Sequence, residues 1–251
     1  MKSTPFTYYG DLLGISNYYR IDPRIAKDKL NAFYNLVYSL FKKSAISKKV
    51  ELVLFSDFII VTGHSVETIL PLLGKLYNDL IEKDIMIKGA LVKGKLFFEK
   101  RLELKNLQKR LPVNDVLFRA VCIEKNLEGM CLAIEKPLAK SLLPFSWLTD
   151  EGYQNNPKIN SCDSSDYRRK ITLMRNWDAY EYLWPITWGL DKFNSEEFRL
   201  VEMKFNFTHI VSKMRSQLRQ IPTEARKHYK STIELYKKAE HRQAITQYLL
   251  N

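Results

Sequence analysis

Residues 50–61 have the sequence VELVLFSDFIIV. Two apolar runs, Val50 to Phe55 and Phe58 to Val61, are separated by the pair Ser56-Asp57, which is the spacing of a β-hairpin with two residues at its tip. An aspartate at such a tip is ordinary turn chemistry. The segment therefore predicts two adjacent antiparallel strands, and the elements around it decide which sheet they join.

The chain before this hairpin predicts a strand followed by a helix. Phe6 to Gly10, with sequence FTYYG, has the aromatic content typical of a short strand and leads into Asp11. After a tyrosine-rich turn, Asp22-Pro23 has the pattern of a helix N-cap with proline at the first helical position. Apolar residues then recur at helical spacing: Leu30, Phe33, Leu36, Val37, Leu40 and Phe41.

The chain after the hairpin repeats this alternation. Ser65 can cap a second helix, and its apolar face would comprise Ile69, Leu72, Leu73, Leu76, Tyr77 and Leu80. Ile85 to Phe98 predicts a long strand or a strand pair, Asn114 to Asn126 a third helix, and Met130 to Ile134 a further strand. The predicted order is β-α-β-β-α-β-α-β, a compact α/β unit.

Beyond this unit the sequence changes character. We predict a first domain over residues 1–148, an irregular aromatic-rich connection over 149–193, and basic C-terminal helices over 194–251. Residues 201–251 carry ten Lys or Arg and four Glu. These helices could follow a phosphate backbone as a nucleic-acid-binding module, although a solvated helix face is the favoured interpretation. The candidate contacts are Arg215, Arg219, Arg226, Lys227, His228, Tyr229 and Lys230.

Composition excludes several classes of protein. The 251 residues include 40 basic and 28 acidic side chains, a net charge of +12 that fits an anionic partner but also simply favours solubility. Three cysteines without a CxxC pair and four histidines without HExxH spacing argue against a disulfide scaffold or a zinc site. Met1 to Tyr9 does not contain the apolar run that a signal peptide needs, and no later apolar run is long enough to span a membrane. We expect a soluble cytoplasmic protein.

One motif fits a phosphate-binding loop only superficially. Gly89 to Lys95, with sequence GALVKGK, matches the GxxxxGK pattern, but Leu96 replaces the Ser or Thr that would hold magnesium. The segment is also β-like on both sides and lacks the helix start that the P-loop mechanism requires. We therefore set this motif aside.

A sharper pattern pairs Asp11 with Asp57. In a β-α-β-β sheet the end of the first strand can lie beside the hairpin tip, which would bring these two carboxylates together. Converging carboxylates can hold two Mg²⁺ ions, as in phosphoryl and nucleotidyl transfer. The backbone N–H groups of the loop after Asp11 could then face the phosphates. Two turn aspartates without any metal are the alternative interpretation.

These segments resemble the motifs of one family in the same order along the chain. Tyr8 to Ser16 (YYGDLLGIS) is similar to the first-strand motif of class III nucleotidyl cyclases, and Phe55-Ser56-Asp57 is similar to their hairpin tip. Ile87 to Gly94 (IKGALVKG) resembles their Arg-Gly-Ala strand, and Asn114 to Glu124 has the register of their next helix. The resemblance covers Phe6 to Glu135 and looks nearest to the bacterial pyrimidine cyclases of Pycsar anti-phage systems.

The resemblance implies a fold and a set of site residues. The fold would be α/β (α+β), a ferredoxin-like βαββαβ cyclase (palm) core with a C-terminal helical extension. Asp11 and Asp57 would hold Mg²⁺ or Mn²⁺, and the backbone of Leu12, Leu13 and Gly14 would contact the cofactor-bound phosphates. Lys88 and Arg119 are further candidate phosphate contacts, with Arg119 as a substitute catalytic group.

Arg119 is needed as a substitute because the chain departs from the family pattern. Phe118 and Cys122 stand where the family's helix presents an Asn and, four residues later, an Arg that stabilises the transition state. The implied activity is the conversion of a nucleoside triphosphate, UTP or CTP rather than ATP or GTP, into a 3′,5′-cyclic nucleotide and pyrophosphate. The implied assembly is a homodimer with composite sites. A catalytically degenerate cyclase-like domain that binds a nucleotide or a protein is the alternative.

Overall fold

The computed structural model describes residues 4–42, 49–99, 112–142, 170–171, 179–182, 188–190, 198–200, 207–219 and 223–250. The first strand is followed by two helices and then by the hairpin. These elements are β1 (Phe6–Leu12), α1 (Ile15–Ile21), α2 (Pro23–Lys42), β2 (Val50–Phe55) and β3 (Phe58–Gly63). The next five are α3 (Val66–Glu82), β4 (Ile87–Lys93), α4 (Val116–Lys125), β5 (Leu132–Glu135) and α5 (Lys136–Leu142).

Short strands and two helices complete the described chain. The strands are β6 (Lys170–Ile171), β7 (Ala179–Tyr182), β8 (Trp188–Leu190) and β9 (Phe198–Leu200). The helices are α6 (Phe207–Gln217) and α7 (Thr223–Leu250). Within the part of the chain that the structure describes, no helix combines the length and apolar character needed to cross a bilayer.

The sheet has the strand order β2-β3-β1-β4-β5-β7-β6. The pairs β2–β3, β3–β1 and β1–β4 are antiparallel, whereas β5 lies parallel to β4. A βαββαβ chain with the order β2-β3-β1-β4 has the ferredoxin-like topology, so the predicted α+β fold is confirmed. The predicted hairpin is also present, with Ser56 and Asp57 at its tip.

The sheet buries both faces. Phe6 and Tyr8 of β1 belong to the larger core, which α2 and α3 cover, whereas Tyr9 packs into the smaller core under α4. This alternation follows from the two-residue period of a strand. The C-terminal helices are part of the larger core rather than a detached basic unit, and their buried residues in it are Ile210, Val211, Met214, Ile233, Leu235 and Tyr236.

The structure also differs from the sequence-based expectation in two segments. The tyrosine-rich turn is the helix α1, which ends just before the predicted cap, where the carboxylate of Asp22 accepts a 2.8 Å hydrogen bond from the N–H of Arg24. The predicted irregular connection contains β6, β7 and β8, and β7 extends the main sheet by pairing with β5. Residues 150–168 of the predicted irregular connection lie outside the described residues.

The Lys and Arg residues considered for nucleic-acid binding are exposed, as a solvated helix face requires, whereas the neighbouring His228 and Tyr229 contact the fold. Tyr229 packs against the larger core, and Lys227 lies 3.7 Å from the carboxylate of Glu128. The imidazole of His228 accepts a hydrogen bond from the backbone of Gly129. This side of α7 is therefore engaged with the fold itself.

Candidate active site

The two predicted aspartates lie at the same end of the sheet. Asp11 pairs with Phe58, the first residue of β3, and the N–H of Leu12 donates a 2.8 Å hydrogen bond to the carbonyl of Asp57. Ser56 has a φ of 53°, the left-handed conformation that a tight two-residue tip uses. The hairpin tip therefore lies beside the end of β1, as the βαββ arrangement requires.

Asp11 is electrostatically unusual. Partial burial raises the pKa of Asp11 to about 7, and the nearby carboxylates of Glu124 and Asp57 add to the rise, whereas Lys88 opposes it. A partly buried carboxyl group with like charges as neighbours therefore exchanges its proton near physiological pH rather than near pH 4. Shifts of this kind are typical of sites that bind a cation or move a proton, although structural clusters also produce them.

A buried ion pair forms the floor of this site. Lys88 lies directly across from Asp11 in the β1–β4 register, and its ammonium is 2.8 Å from a carboxylate oxygen of Glu124 on α4. Both side chains are largely buried, with exposed fractions of 14% for Lys88 and 4% for Glu124. Lys88 therefore sits next to Asp11, as a phosphate contact would, but its charge is shared with Glu124.

Glu124 is the site residue that the sequence pattern did not single out. It lies among the buried residues of α4, next to Ile123 and four positions from Ala120. A charged side chain on the apolar face of a helix is rarely buried without a partner, and this breach of the periodic pattern was the available signal. The partner, Lys88, is distant in sequence and could not be named from the pattern alone.

One cross-strand row links these groups to an open aromatic edge. Lys88, Asp11, Phe58 and Phe55 are successive partners across β4, β1, β3 and β2. The rings of Phe58 and Phe55 are 5.7 Å apart, and Phe55, on the outer strand, is 66% exposed. The row therefore runs from a buried cation through a carboxylate to an accessible aromatic surface.

The loop after Asp11 is only partly available for phosphate binding. The N–H of Leu12 is bonded to Asp57, and the N–H of Leu13 donates to the carbonyl of Met86 at 2.8 Å. Gly14 adopts a left-handed conformation, with φ of 82°, and precedes α1. These hydrogen bonds fix the loop against β4, so Leu12 and Leu13 shape the site through their position rather than through free N–H groups.

Arg119 lies at the other end of the sheet. Its guanidinium forms an ion pair with the buried carboxylate of Glu135 and donates a 2.8 Å hydrogen bond to the carbonyl of Lys93. Lys93 and Lys88 are five residues apart on one strand, which corresponds to roughly 16 Å. Within one chain the structure therefore does not bring Arg119 together with Asp11 and Asp57, and the guanidinium instead partners Glu135.

The positions of the family's Asn and Arg carry no polar replacement on α4. Phe118 is 55% exposed, and Cys122 is a partly buried free cysteine. Neither side chain can stabilise negative charge on a phosphate as an Arg would. The described chain therefore has the two carboxylates of the expected site. It lacks the Asn and the Arg that the family's helix would add.

The carboxylates suit a divalent cation shared with a polyphosphate. Within the described ranges no group of three or more His, Cys, Asp or Glu side chains is arranged to hold a metal ion. Mg²⁺ usually needs only one or two protein carboxylates when phosphates supply other ligands. Asp11 and Asp57 meet that requirement, and a cation would oppose the rise in the pKa of Asp11 that burial and then the neighbouring carboxylates produce.

Comparison with known proteins identifies similar solved structures. No protein-family model and no curated protein matches the chain. An adenylate cyclase from Trypanosoma brucei has 12% identity and a TM-score of 0.48, covering 80% of this chain and 97% of its own. The adenylyl cyclase CyaB from P. aeruginosa has 10% identity and a TM-score of 0.48, with coverages of 78% and 97%.

A third similar structure is the guanylate cyclase domain of RhGC from Catenaria anguillulae, which was determined in complex with GTP. Its identity is 16% and its TM-score 0.39, and the match covers 55% of this chain and 81% of that one. These TM-scores are below 0.5 and the identities are low. They do not establish membership of a family.

Proposed function

We propose that the protein is a metal-dependent nucleotidyl cyclase that converts a nucleoside triphosphate into a 3′,5′-cyclic nucleotide and pyrophosphate. The observation that carries the proposal is the placement of Asp11 beside Asp57 at the end of β1, with the pKa of Asp11 raised to about 7. The ordered resemblance of four segments to the class III cyclases supports it.

Each described residue has a defined part in this proposal. Asp11 and Asp57 would hold Mg²⁺ or Mn²⁺, which when bound would activate the ribose hydroxyl and neutralise charge on the phosphates. The hydrogen bonds of Leu12 and Leu13 fix the loop that carries Asp11. Lys88 keeps positive charge at the site floor, where it limits the repulsion between Asp11 and Glu124.

The finer assignments rest on the resemblance to the pyrimidine cyclases. They comprise UTP or CTP as the substrate, cUMP or cCMP as a second messenger in anti-phage defence, a cytoplasmic location, and a homodimer. An exposed Phe118 on α4 is compatible with burial by a second copy, because exposed aromatic residues are common at interfaces. Sedimentation of the purified chain tests the dimer directly.

Incubation with each of the four ribonucleoside triphosphates and Mn²⁺, followed by mass spectrometry of the products, tests the activity. A cyclic monophosphate should form, and Asp57→Asn should abolish it. Asp79→Asn is a matched control, because Asp79 lies on α3 away from Asp11 and Asp57 and forms a surface ion pair with Lys75 on the same helix. No cyclic product from any triphosphate, or equal product from Asp57→Asn, would overturn the proposal.

A catalytically degenerate domain that binds a nucleotide is the second candidate. Phe118 and Cys122 on α4 favour it, as does the engagement of Arg119 with Glu135 far from the aspartates. Such a protein would bind a metal–triphosphate complex through Asp11 and Asp57 without turnover. Equilibrium binding of a triphosphate with Mn²⁺, measured alongside the product assay, separates the two candidates.

A further inference from the structure

The first turns of α7 are fastened to the loop between α4 and β5. The imidazole Nδ1 of His228 accepts a 3.1 Å hydrogen bond from the N–H of Gly129, and the hydroxyl of Thr232 accepts a 2.8 Å bond from the N–H of Met130. The hydroxyl of Ser231 donates to the carbonyl of Glu128 at 3.0 Å. Three consecutive loop residues are thus held by one face of a single helix.

The contact is too tight for an added side chain. Gly129 has a φ of 73°, and a Cβ at this position would lie 2.7 Å from the carbonyl oxygen of His228 and 2.8 Å from the hydroxyl of Thr232. Glycine is therefore required both for its backbone conformation and for the close approach of the helix. The loop and the helix are built against each other.

Two short series of contacts connect this helix–loop contact to the candidate active site. The carbonyl of Cys131, which follows Met130, accepts a 2.9 Å hydrogen bond from the N–H of Gly89, the neighbour of Lys88. The hydroxyl of Thr232 also lies 3.9 Å from the sulfur of Met86, whose carbonyl holds the N–H of Leu13. Movement of this part of α7 would disturb the support on both sides of the site.

We propose that His228 is a pH-sensitive clasp that holds α7 to the Glu128–Met130 loop and releases it when the imidazole is protonated. A neutral imidazole offers Nδ1 as an acceptor to the N–H of Gly129, whereas a protonated imidazole carries a hydrogen on both nitrogens. Protonation would therefore break the hydrogen bond, because the Nδ1–H of the imidazolium would then face the N–H of Gly129. The clasp is a property of the fold and holds whether or not the chain is a cyclase.

The surroundings of His228 set where the clasp opens. Partial burial lowers the pKa of His228 below its usual 6.5, and positive charge on Lys227 of α7 and Lys88 of β4 lowers it further. Glu128, in the loop, acts in the opposite direction. The folded state therefore favours the neutral imidazole, so the clasp stays closed at neutral pH and opens only in acid below the usual histidine range.

Hydrogen–deuterium exchange of the intact chain between pH 7.5 and 5.0 tests the proposal. After correction for intrinsic exchange, the opening of peptides that contain Gly129 and Met130 should increase by up to about tenfold per pH unit below pH 6.5. His228→Gln should abolish this increase in opening with falling pH. The side-chain oxygen of the glutamine can still accept a hydrogen bond from the N–H of Gly129, but it cannot titrate. His64→Gln, at an exposed position, is the matched control and should retain the increase.

The proposal would be overturned if opening of the Gly129 and Met130 peptides depended on pH equally in His228→Gln and in the native chain. It would also be overturned if opening in the native chain did not depend on pH. Circular dichroism at pH 7.5 checks that each variant folds. A titration of the native chain by NMR needs no variant. It should show the His228 ring titrating below pH 6.5 together with the Gly129 amide, and an imidazole that titrates at 6.5 or above without affecting that amide would exclude the clasp.

Discussion

Asp11 and Lys88 lie directly opposite each other on β1 and β4, yet the ammonium of Lys88 is held 2.8 Å from Glu124. One buried cation therefore serves two carboxylates, with Asp57 as a third negative charge nearby. The charges at this end of the sheet are unbalanced toward the negative. This imbalance underlies the first two predictions.

Divalent metal should bind more tightly as the pH rises through about 7. Asp11 must lose its proton to act as a ligand, and its pKa is raised to about 7. Titration calorimetry with Mn²⁺ at pH 6.0 and pH 8.5 should give a clearly weaker affinity at the lower pH. Asp11→Asn should lose the increase in Mn²⁺ affinity at pH 8.5, whereas Asp79→Asn should retain it. Equal native affinity at both pH values would contradict the assignment.

Asp11→Asn should stabilise the metal-free protein at alkaline pH. The folded-state pKa of Asp11, about 7, lies above its ordinary value of 3.8, so between these values the folded chain retains a proton that the unfolded chain has lost. The stability contributed by Asp11 is full below pH 4 and decreases as the pH rises to 7. After allowance for solvent screening, the amide should add about 1–2 kcal/mol to the free energy of unfolding at pH 8.

Urea denaturation at pH 4 and pH 8 measures this difference. The variant and the native chain should converge at pH 4, where Asp11 is largely protonated in the folded state. A destabilised variant at pH 8 would show that the charged carboxylate has a favourable partner instead.

The elements of the fold could be predicted more completely than their mutual packing. The hairpin was predictable because two apolar runs flank a two-residue tip at Ser56 and Asp57. The helix α1 was missed because Ile15 is its only buried residue, which leaves no periodic apolar face. Local pattern determines an element only when several of its residues contact the core.

Site residues could be predicted only where the order of the strands determines their position. The βαββ order alone brings Asp11 to the tip that carries Asp57. The position of Arg119 depends on how α4 lies across the sheet, and a helical pattern gives no information on that direction. The pairing of Lys88 with Glu124 likewise requires the tertiary structure, because it joins a strand to a helix that follows it by a long connection.

Arg119→Ala should affect stability rather than chemistry. The substitution leaves Glu135, which is 5% exposed, without its cation, and breaking a buried ion pair costs about 3–5 kcal/mol. Arg24→Ala removes an ion pair whose arginine side chain is 90% exposed, and it should change stability far less than Arg119→Ala does. Denaturant unfolding of both variants makes the comparison. A loss of turnover per folded molecule in Arg119→Ala would restore its catalytic assignment.

The double substitution Phe118→Asn with Cys122→Arg should increase turnover if the chain is a slow cyclase. It restores the polar pair that the family's helix presents, and one well-placed donor to a developing negative charge is worth about 10²- to 10³-fold in rate. The product assay with each triphosphate and Mn²⁺ measures the gain. Phe118→Gln with Cys122→Ser is a polar control that introduces no cation and should gain little. An unchanged rate in the double variant would favour the degenerate domain.

The C-terminal helices close a core that begins with the first strand, and this order matters during synthesis. Phe6 on β1 and Tyr236 on α7 belong to the same apolar cluster, although nearly the whole chain separates them. A ribosome adds about 5–20 residues per second, so roughly 6–24 s pass between the emergence of β4 and that of α6. During that interval Ile81 of α3 and Met86 before β4, which lie against Ile210 and Met214 of α6 in the folded chain, have not yet met those partners.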